Sequence, residues 1–367
     1  MGRGLVMVRL SQGAKEGESP TGQAAAGAPK SPPMTEKSSK DTAWLANAVQ
    51  NGDRRALARA ITLIESARAD HRGDADALLE TLASSGRQAL RIGLSGTPGV
   101  GKSTFIEAFG CQLTKAGRRV AVLAVDPSST RTGGSILGDK TRMERLARDP
   151  NAFIRPSPSQ THLGGVARRT RDAVALCEAA GFDIILIETV GVGQSETIVA
   201  EMSDLFVLLL APAGGDELQG VKRGIMEIAD LVLVNKADGD LKSTAIRTAA
   251  DYAGALRLWR KRDGDPEDFP KAMTVSALDE TGLSEAWGEM QKLAVFRQET
   301  GFWDSRRAQQ ARGWFADEVR QGLLRRLASD PKADVAMARL ADDVAAGRRA
   351  PGAAAAEVLG RLGNDTV

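Results

Sequence analysis

The chain has 367 residues, 42% of them apolar, enough for one large α/β domain with helical additions. Its 49 basic residues against 47 acidic ones leave a net charge of +2, without the basic excess of an electrostatic nucleic-acid binder, and 4% aromatics give little surface for stacking bases. The two cysteines, Cys111 and Cys177, lie far apart, which disfavours a disulfide framework and fits buried apolar side chains in a reducing cytosol. No apolar run reaches the roughly 20 residues of a membrane helix, and no secretory core is visible, so a cytoplasmic protein without a membrane partner is expected.

Residues 1–40 are rich in Gly, Ala, Ser, Pro and Lys and read as a disordered tail, with Met34 just before the first helical pattern. Residues 41–86 form a helical extension of two or three helices. There Leu45, Val49, Leu57, Ile61, Leu63 and Ile64 fall at spacings that put most of them on one face, and Asp53 can cap a helix. From residue 87 to 300 short apolar runs alternate with helical stretches, at 90–94, 120–125, 153–154, 184–187, 205–210, 231–234 and 273–275. Continuous rather than alternating hydrophobicity predicts strands buried on both faces, in a mostly parallel sheet flanked by helices. Residues 301–367 are helical again. The stretch 308–327 carries Trp314, Phe315, Val319, Leu323 and Leu324 on one side. That arm either packs on the sheet or mediates dimerisation.

The first apolar run leads into Gly96-Thr97-Pro98-Gly99-Val100-Gly101-Lys102-Ser103, a full GxxxxGK[ST], and a helix is expected to open at Thr104. Glycines let backbone N–H groups approach phosphate oxygens, and the helix N-terminus adds partial positive charge. Lys102 would reach the β/γ-phosphates and Ser103 would coordinate Mg²⁺. After the run at 231–234 comes Asn235-Lys236-Ala237-Asp238. The Asp238 carboxylate can accept both donors of guanine, whereas adenine would leave it unpaired. Lys236 would lie along the base plane, and the Ser276-Ala277-Leu278 segment would bring a backbone N–H to guanine O6. The ligand read from these residues is GTP or GDP with Mg²⁺.

Asp126, at the end of the run 120–125, is a candidate Mg²⁺ ligand. Asp139 is either a second one or the N-cap of a helix over 141–146. Glu188 ends another run in Glu188-Thr189-Val190-Gly191, where GTPases carry DxxG; Gly191 can give its N–H to the γ-phosphate, and Glu188 can orient a metal-bound or attacking water. No glutamine follows directly, and Gln194 is a candidate substitute, so slow hydrolysis raised by a partner is expected. Residues 216–224 read either as a moving loop or as a solvated helix start. His162 has no soft ligand beside it.

The loop at Gly96–Thr104, the segment after Val125, the stretch 132–143, residues 188–196, Asn235–Asp238 and Ser276–Leu278 together resemble the MeaB/ArgK group of GTPases associated with methylmalonyl-CoA mutase. The resemblance spans about residue 42 to the C-terminus. It implies a homodimeric G-protein chaperone that binds the mutase, gates adenosylcobalamin loading and protects the mutase from inactivation. It places Asp126, Asp139 and Glu188 in the Mg²⁺ and catalytic region, Lys222 in a third switch loop, and the dimer contact in the C-terminal arm. Two other readings compete: a GTP-dependent metallochaperone, which the paucity of His and Cys disfavours, and an ATP-dependent kinase, which Asp238 disfavours. No B12-binding DxHxxG occurs, so the chain is not expected to bind the cofactor itself.

Overall fold

The seven apolar runs fold as seven strands of one sheet: β1 (Leu90–Gly96), β2 (Val120–Val125), β3 (Ala152–Arg155), β4 (Ile184–Thr189), β5 (Leu205–Leu210), β6 (Leu231–Val234) and β7 (Lys271–Thr274). The structure is a computed structural model, described over residues 39–66, 68–125, 143–156, 163–189, 195–212, 223–258, 262 and 264–364. The strand order is β3-β2-β4-β1-β5-β6-β7, and every pairing is parallel. Each residue of β1, β2, β4, β5 and β6 is buried, which is why their sequences show no alternation. β7 lies at the edge and is only half-buried along its length. Its expected span therefore needs correcting from 273–275 to Lys271–Thr274, because an edge strand that starts on a lysine lacks the apolar signal.

Helices connect the strands: α4 (Lys102–Lys115), α5 (Glu144–Arg148), α6 (Leu163–Ala179), α7 (Ser195–Met202), α8 (Arg223–Ile228), α9 (Lys242–Arg257) and α10 (Leu283–Glu299). Before them come α1 (Ser39–Gln50), α2 (Arg54–Glu65) and α3 (Ala69–Ala83), which pack on one another and on α6. Asp53 caps α2, accepting from the N–H groups of Arg55 and Ala56 at 2.7 and 3.1 Å. Leu57, Ile61 and Ile64 are buried as expected, while Leu63 is only half-buried. Arg87 ties this cap to the sheet domain, donating from Nη1 to the carbonyls of Gln50 and Ala179 at 2.8 and 2.9 Å.

The amino ends of the strands are closed by aspartates that precede β4, β5 and β6. Asp183 accepts from the Arg119 N–H at 2.7 Å, Asp204 from Arg91 at 2.9 Å and Asp230 from Phe206 at 2.7 Å. Arg297, 2% exposed on α10, donates from Nη2 to Asp230 Oδ1 at 2.7 Å and to Asp265 Oδ1 at 2.6 Å, and from Nη1 to the Asp204 carbonyl at 2.6 Å. Burial alone would push the Asp230 carboxyl up, but the Arg297 and Arg262 charges outweigh it and hold it below the usual carboxylate range. Charge is thus fixed at the amino ends, leaving the carboxyl ends to the loops that carry the motifs.

Residues 301–367 form a second unit. Within it α11 (Phe302–Ser329), longer than its expected 308–327, is followed by α12 (Pro331–Ala345) and α13 (Pro351–Asn364). Asp330 caps α12 by accepting from the Lys332 N–H at 2.9 Å, with Pro331 at the first helical position. Leu340, Ala354 and Val358 form a small core with Leu327 and Val344. Phe315, Val319, Leu323 and Leu324 on α11 are all exposed. No helix among the described residues is long and apolar enough to cross a membrane.

Candidate functional site

β1 sits between β4 and β5, so the loop that follows it emerges from the middle of the sheet at its carboxyl edge. Gly96 is required there by close approach, since a Cβ would fall 2.3 Å from the Leu209 carbonyl oxygen of β5. Gly101 adopts φ +88°, and a Cβ on it would lie 2.8 Å from Asn235 Nδ2. α4 starts at Lys102, not at Thr104 as the sequence reading had it. Lys102 and Ser103 therefore lie in its first turn, where N–H groups and the helix dipole favour an anion. Thr97, Lys102 and Ser103 are half-buried, Pro98, Gly99 and Thr104 exposed, and Val100 buried.

Lys102 donates from Nζ to the carbonyls of Gly96 at 2.6 Å and Thr97 at 3.4 Å. Burial lowers the pKa of its ammonium, opposed by the charges of Glu188 and Glu196. Glu188 is 3% exposed on β4, level with Leu94 of β1 and Ala124 of β2. Beside it the Thr189 hydroxyl donates to Ser95 Oγ at 3.2 Å, linking β4 to β1 at their carboxyl ends. Glu196, 3% exposed in the first turn of α7, had no role assigned from sequence. An acid in a helix's first turn reads as dipole stabilisation, and only its burial near Lys102 marks it as part of the site.

The second half of the site follows β6 and β7. Asn235 is 1% exposed; its Nδ2 donates to the Val100 carbonyl at 2.9 Å, and its Oδ1 accepts from the Ala277 N–H at 3.0 Å. One side chain thus joins the glycine-rich loop to the segment at Ser276. Lys236 adopts φ +60°, a strained conformation for a lysine that sends the chain sharply past the strand end. The Ser276 hydroxyl donates to Asp238 Oδ2 at 2.5 Å and accepts from the Asp279 N–H at 3.0 Å. Asp238 is half-buried. Ala277 is buried, whereas Leu278 is 75% exposed, within the turn that the Ser276–Thr281 bridge closes.

Asp126, Asp139, Gly191, Gln194, His162 and Lys222 lie outside the described residues. β2 ends at Val125 directly before Asp126, and α8 begins at Arg223 directly after Lys222. Of the helix expected over 141–146, the described residues show α5, Glu144–Arg148, with Met143 at its N-cap position. Cys111 and Cys177 are both buried, and burial pushes both thiols up, so they behave as small apolar side chains. No group of three potential metal-holding side chains occurs among the described residues. The oxygen donors at the carboxyl edge, the Ser103 hydroxyl and the Glu188 carboxylate, are of the chemistry that suits a hard divalent cation.

The family described as methylmalonyl Co-A mutase-associated GTPase MeaB matches residues 57–332. A probable GTPase of Mycobacterium tuberculosis is 52% identical over 315 residues, covering 86% of this chain and 93% of that protein. The mouse methylmalonic aciduria type A homolog, mitochondrial, is 46% identical over 332 residues, 88% of this chain and 80% of the relative. Escherichia coli GTPase ArgK is 46% identical over 279 residues, 76% of this chain and 84% of that one. Among solved structures, one described as LAO/AO transport system kinase aligns with TM-score 0.70 and 34% identity, covering 90% of this chain and all of that one. The chain belongs to the MeaB family of methylmalonyl Co-A mutase-associated GTPases, and it is a P-loop GTPase.

Proposed function

We propose that this GTPase is a nucleotide-switched chaperone of methylmalonyl-CoA mutase, hydrolysing GTP slowly alone and faster on the mutase, gating adenosylcobalamin loading and protecting the mutase from inactivation. The observation that carries the nucleotide half is the Asn235 side chain, which holds the guanine-reading segment against the phosphate loop. The mutase half is supported by the family to which residues 57–332 belong.

In this reading the amides of the Gly96–Ser103 loop and the Lys102 ammonium hold the phosphates. Asp238 Oδ1 reads the guanine, the Ser276 hydroxyl fixing the carboxylate's orientation, and Lys236, Ala277 and Leu278 border the base. Mg²⁺ would be held by Ser103, with Asp126, Asp139 and Glu188 as further oxygen donors; when bound it supplies charge neutralisation between the phosphates. Glu188 orients water, Gly191 contacts the γ-phosphate and Lys222 answers to the mutase. Arriving phosphate oxygens replace the Gly96 and Thr97 carbonyls as Lys102's partners. Phosphoryl transfer needs positioning and charge neutralisation, and a partner that orders the loops supplies what the chain lacks alone.

The exposed apolar row on α11 supports a homodimer built on the C-terminal arm, because soluble monomers rarely leave such a row open. The test is steady-state GTP hydrolysis with and without the mutase. A rise of tenfold or so on adding mutase is expected; an unchanged rate at saturating mutase would overturn the chaperone reading while leaving the GTPase in place.

A further inference from the structure

Outside the buried tie made by Asn235, a second connection joins the phosphate-loop helix to the base-reading segment on the surface. It runs through Arg145, the second residue of α5. The Arg145 backbone N–H donates to Glu107 Oε1 of α4 at 2.8 Å, and its Nε lies 4.0 Å from Glu107 Oε2. From the same guanidinium, Nη1 donates to Glu280 Oε1 at 2.9 Å. Glu107 lies one helical turn beyond Ser103. Glu280 sits four residues after Ser276, in the turn closed by the Ser276–Thr281 bridge, and holds φ +54°, a conformation a non-glycine residue rarely adopts.

The support beneath Arg145 is rigid. Met143 and Leu146 on either side of it are fully buried, and Leu146 lies so close to Gly110 of α4 that a Cβ there would fall 2.6 Å from Leu146 Cδ2. α5 is therefore clamped to α4, and its Arg145 side chain reaches the base-reading turn. A carboxylate–guanidinium–carboxylate chain results, with α4 at one end and the turn after Leu278 at the other.

We propose that Arg145 is a positioning residue that holds the guanine subsite in register with the phosphate subsite and so slows nucleotide release. It touches no reacting atom. It acts through Glu280 on the segment whose Ser276 orients Asp238 and whose Ala277 is tied to Asn235. The inference rests on the GTPase reading above. Its signature is a change in affinity and release without a change in chemistry. The pair is partly exposed, with side chains 57% and 42% accessible, so salt screens it.

The test follows release of a fluorescent GDP analogue from the full chain, with single-turnover GTP hydrolysis measured in parallel. Arg145→Ala and Glu280→Gln are each expected to speed release about threefold, the size of a partly exposed ion pair. The double variant should release no faster than either single one, because the two changes remove the same interaction. Arg145→Lys, which keeps the charge, should stay close to the unaltered chain. Single-turnover hydrolysis at saturating GTP should be unchanged in all of them, and raising salt should speed release from the unaltered chain more than from Arg145→Ala. Multiplying effects in the double variant, or release rates equal throughout, would overturn the inference while leaving the GTPase reading intact. Failure of the unaltered chain to hold the analogue at all would overturn both.

Discussion

The Asn235 side-chain amide and the Val100 carbonyl are joined at 2.9 Å across 135 residues of sequence, inside a fully buried contact. That bond fixes the distance between the glycine-rich loop and the segment proposed to read the base. Replacing Asn235 by Ala leaves the Val100 carbonyl and the Ala277 N–H buried without partners, at about 1–3 kcal/mol each. Guanine nucleotide binding, followed by fluorescence titration, should weaken at least tenfold, for GDP and GTP alike.

In the proposed reading, base choice rests on Asp238. In Asp238→Asn the amide presents a donor where the carboxylate accepted, so guanine loses charge-assisted hydrogen bonds and xanthine gains a partner. Competition titrations should show GTP affinity falling about a hundredfold, with xanthosine triphosphate overtaking it. An unaltered preference would remove Asp238 from base recognition.

At the opposite edge of the sheet, Arg297 neutralises Asp230 and Asp265. Arg297→Met leaves Asp230 and Asp265 with Arg262 alone, at 3.0 and 3.5 Å, as their counter-charge and should cost about 3 kcal/mol in urea unfolding at neutral pH. The sign of the pH dependence is fixed. Asp230 is held below its unfolded value, about 3.9, so its stabilising contribution is complete above that pH and is lost as pH falls through the folded value. In the variant, burial is opposed by Arg262 and the Phe206 N–H alone, so the Asp230 carboxyl moves up from its native value and acid relieves part of the penalty. The difference between the two proteins should therefore be smaller at pH 4 than at pH 7.

Much of this was legible in the sequence, and the exceptions have physical causes. β2, β5 and β6 match their apolar runs residue for residue, since burial on both faces leaves no polar position to blur the ends. β7 was misplaced because one of its edges is open. The phosphate loop was read from local spacing, but α4 was started two residues late, since nothing in Lys102-Ser103 separates loop from helix once Gly101 supplies the turn. Asn235 was read as a nucleotide contact. Its bonds to Val100 and Ala277 bring together three distant stretches, and a linear motif does not encode them. Glu196 and the Arg145–Glu280 contact were missed for the same reason: each takes its meaning from a neighbour more than 90 positions away.

Self-association should follow the exposed row on α11. Phe315, 72% exposed, and Leu324, 57% exposed, lie on it. Phe315→Glu with Leu324→Glu should shift sedimentation from dimer to monomer while leaving the melting temperature of the sheet domain unchanged. A double variant that sediments as a dimer would place the contact elsewhere.

The central claim is that guanine nucleotide on this chain controls its hold on a methylmalonyl-CoA mutase. Co-purification of the two proteins, with a non-hydrolysable GTP analogue, with GDP and without nucleotide, tests it most directly. The account predicts a stable complex whose amount differs between the nucleotide states. Absence of a complex in all three would contradict it.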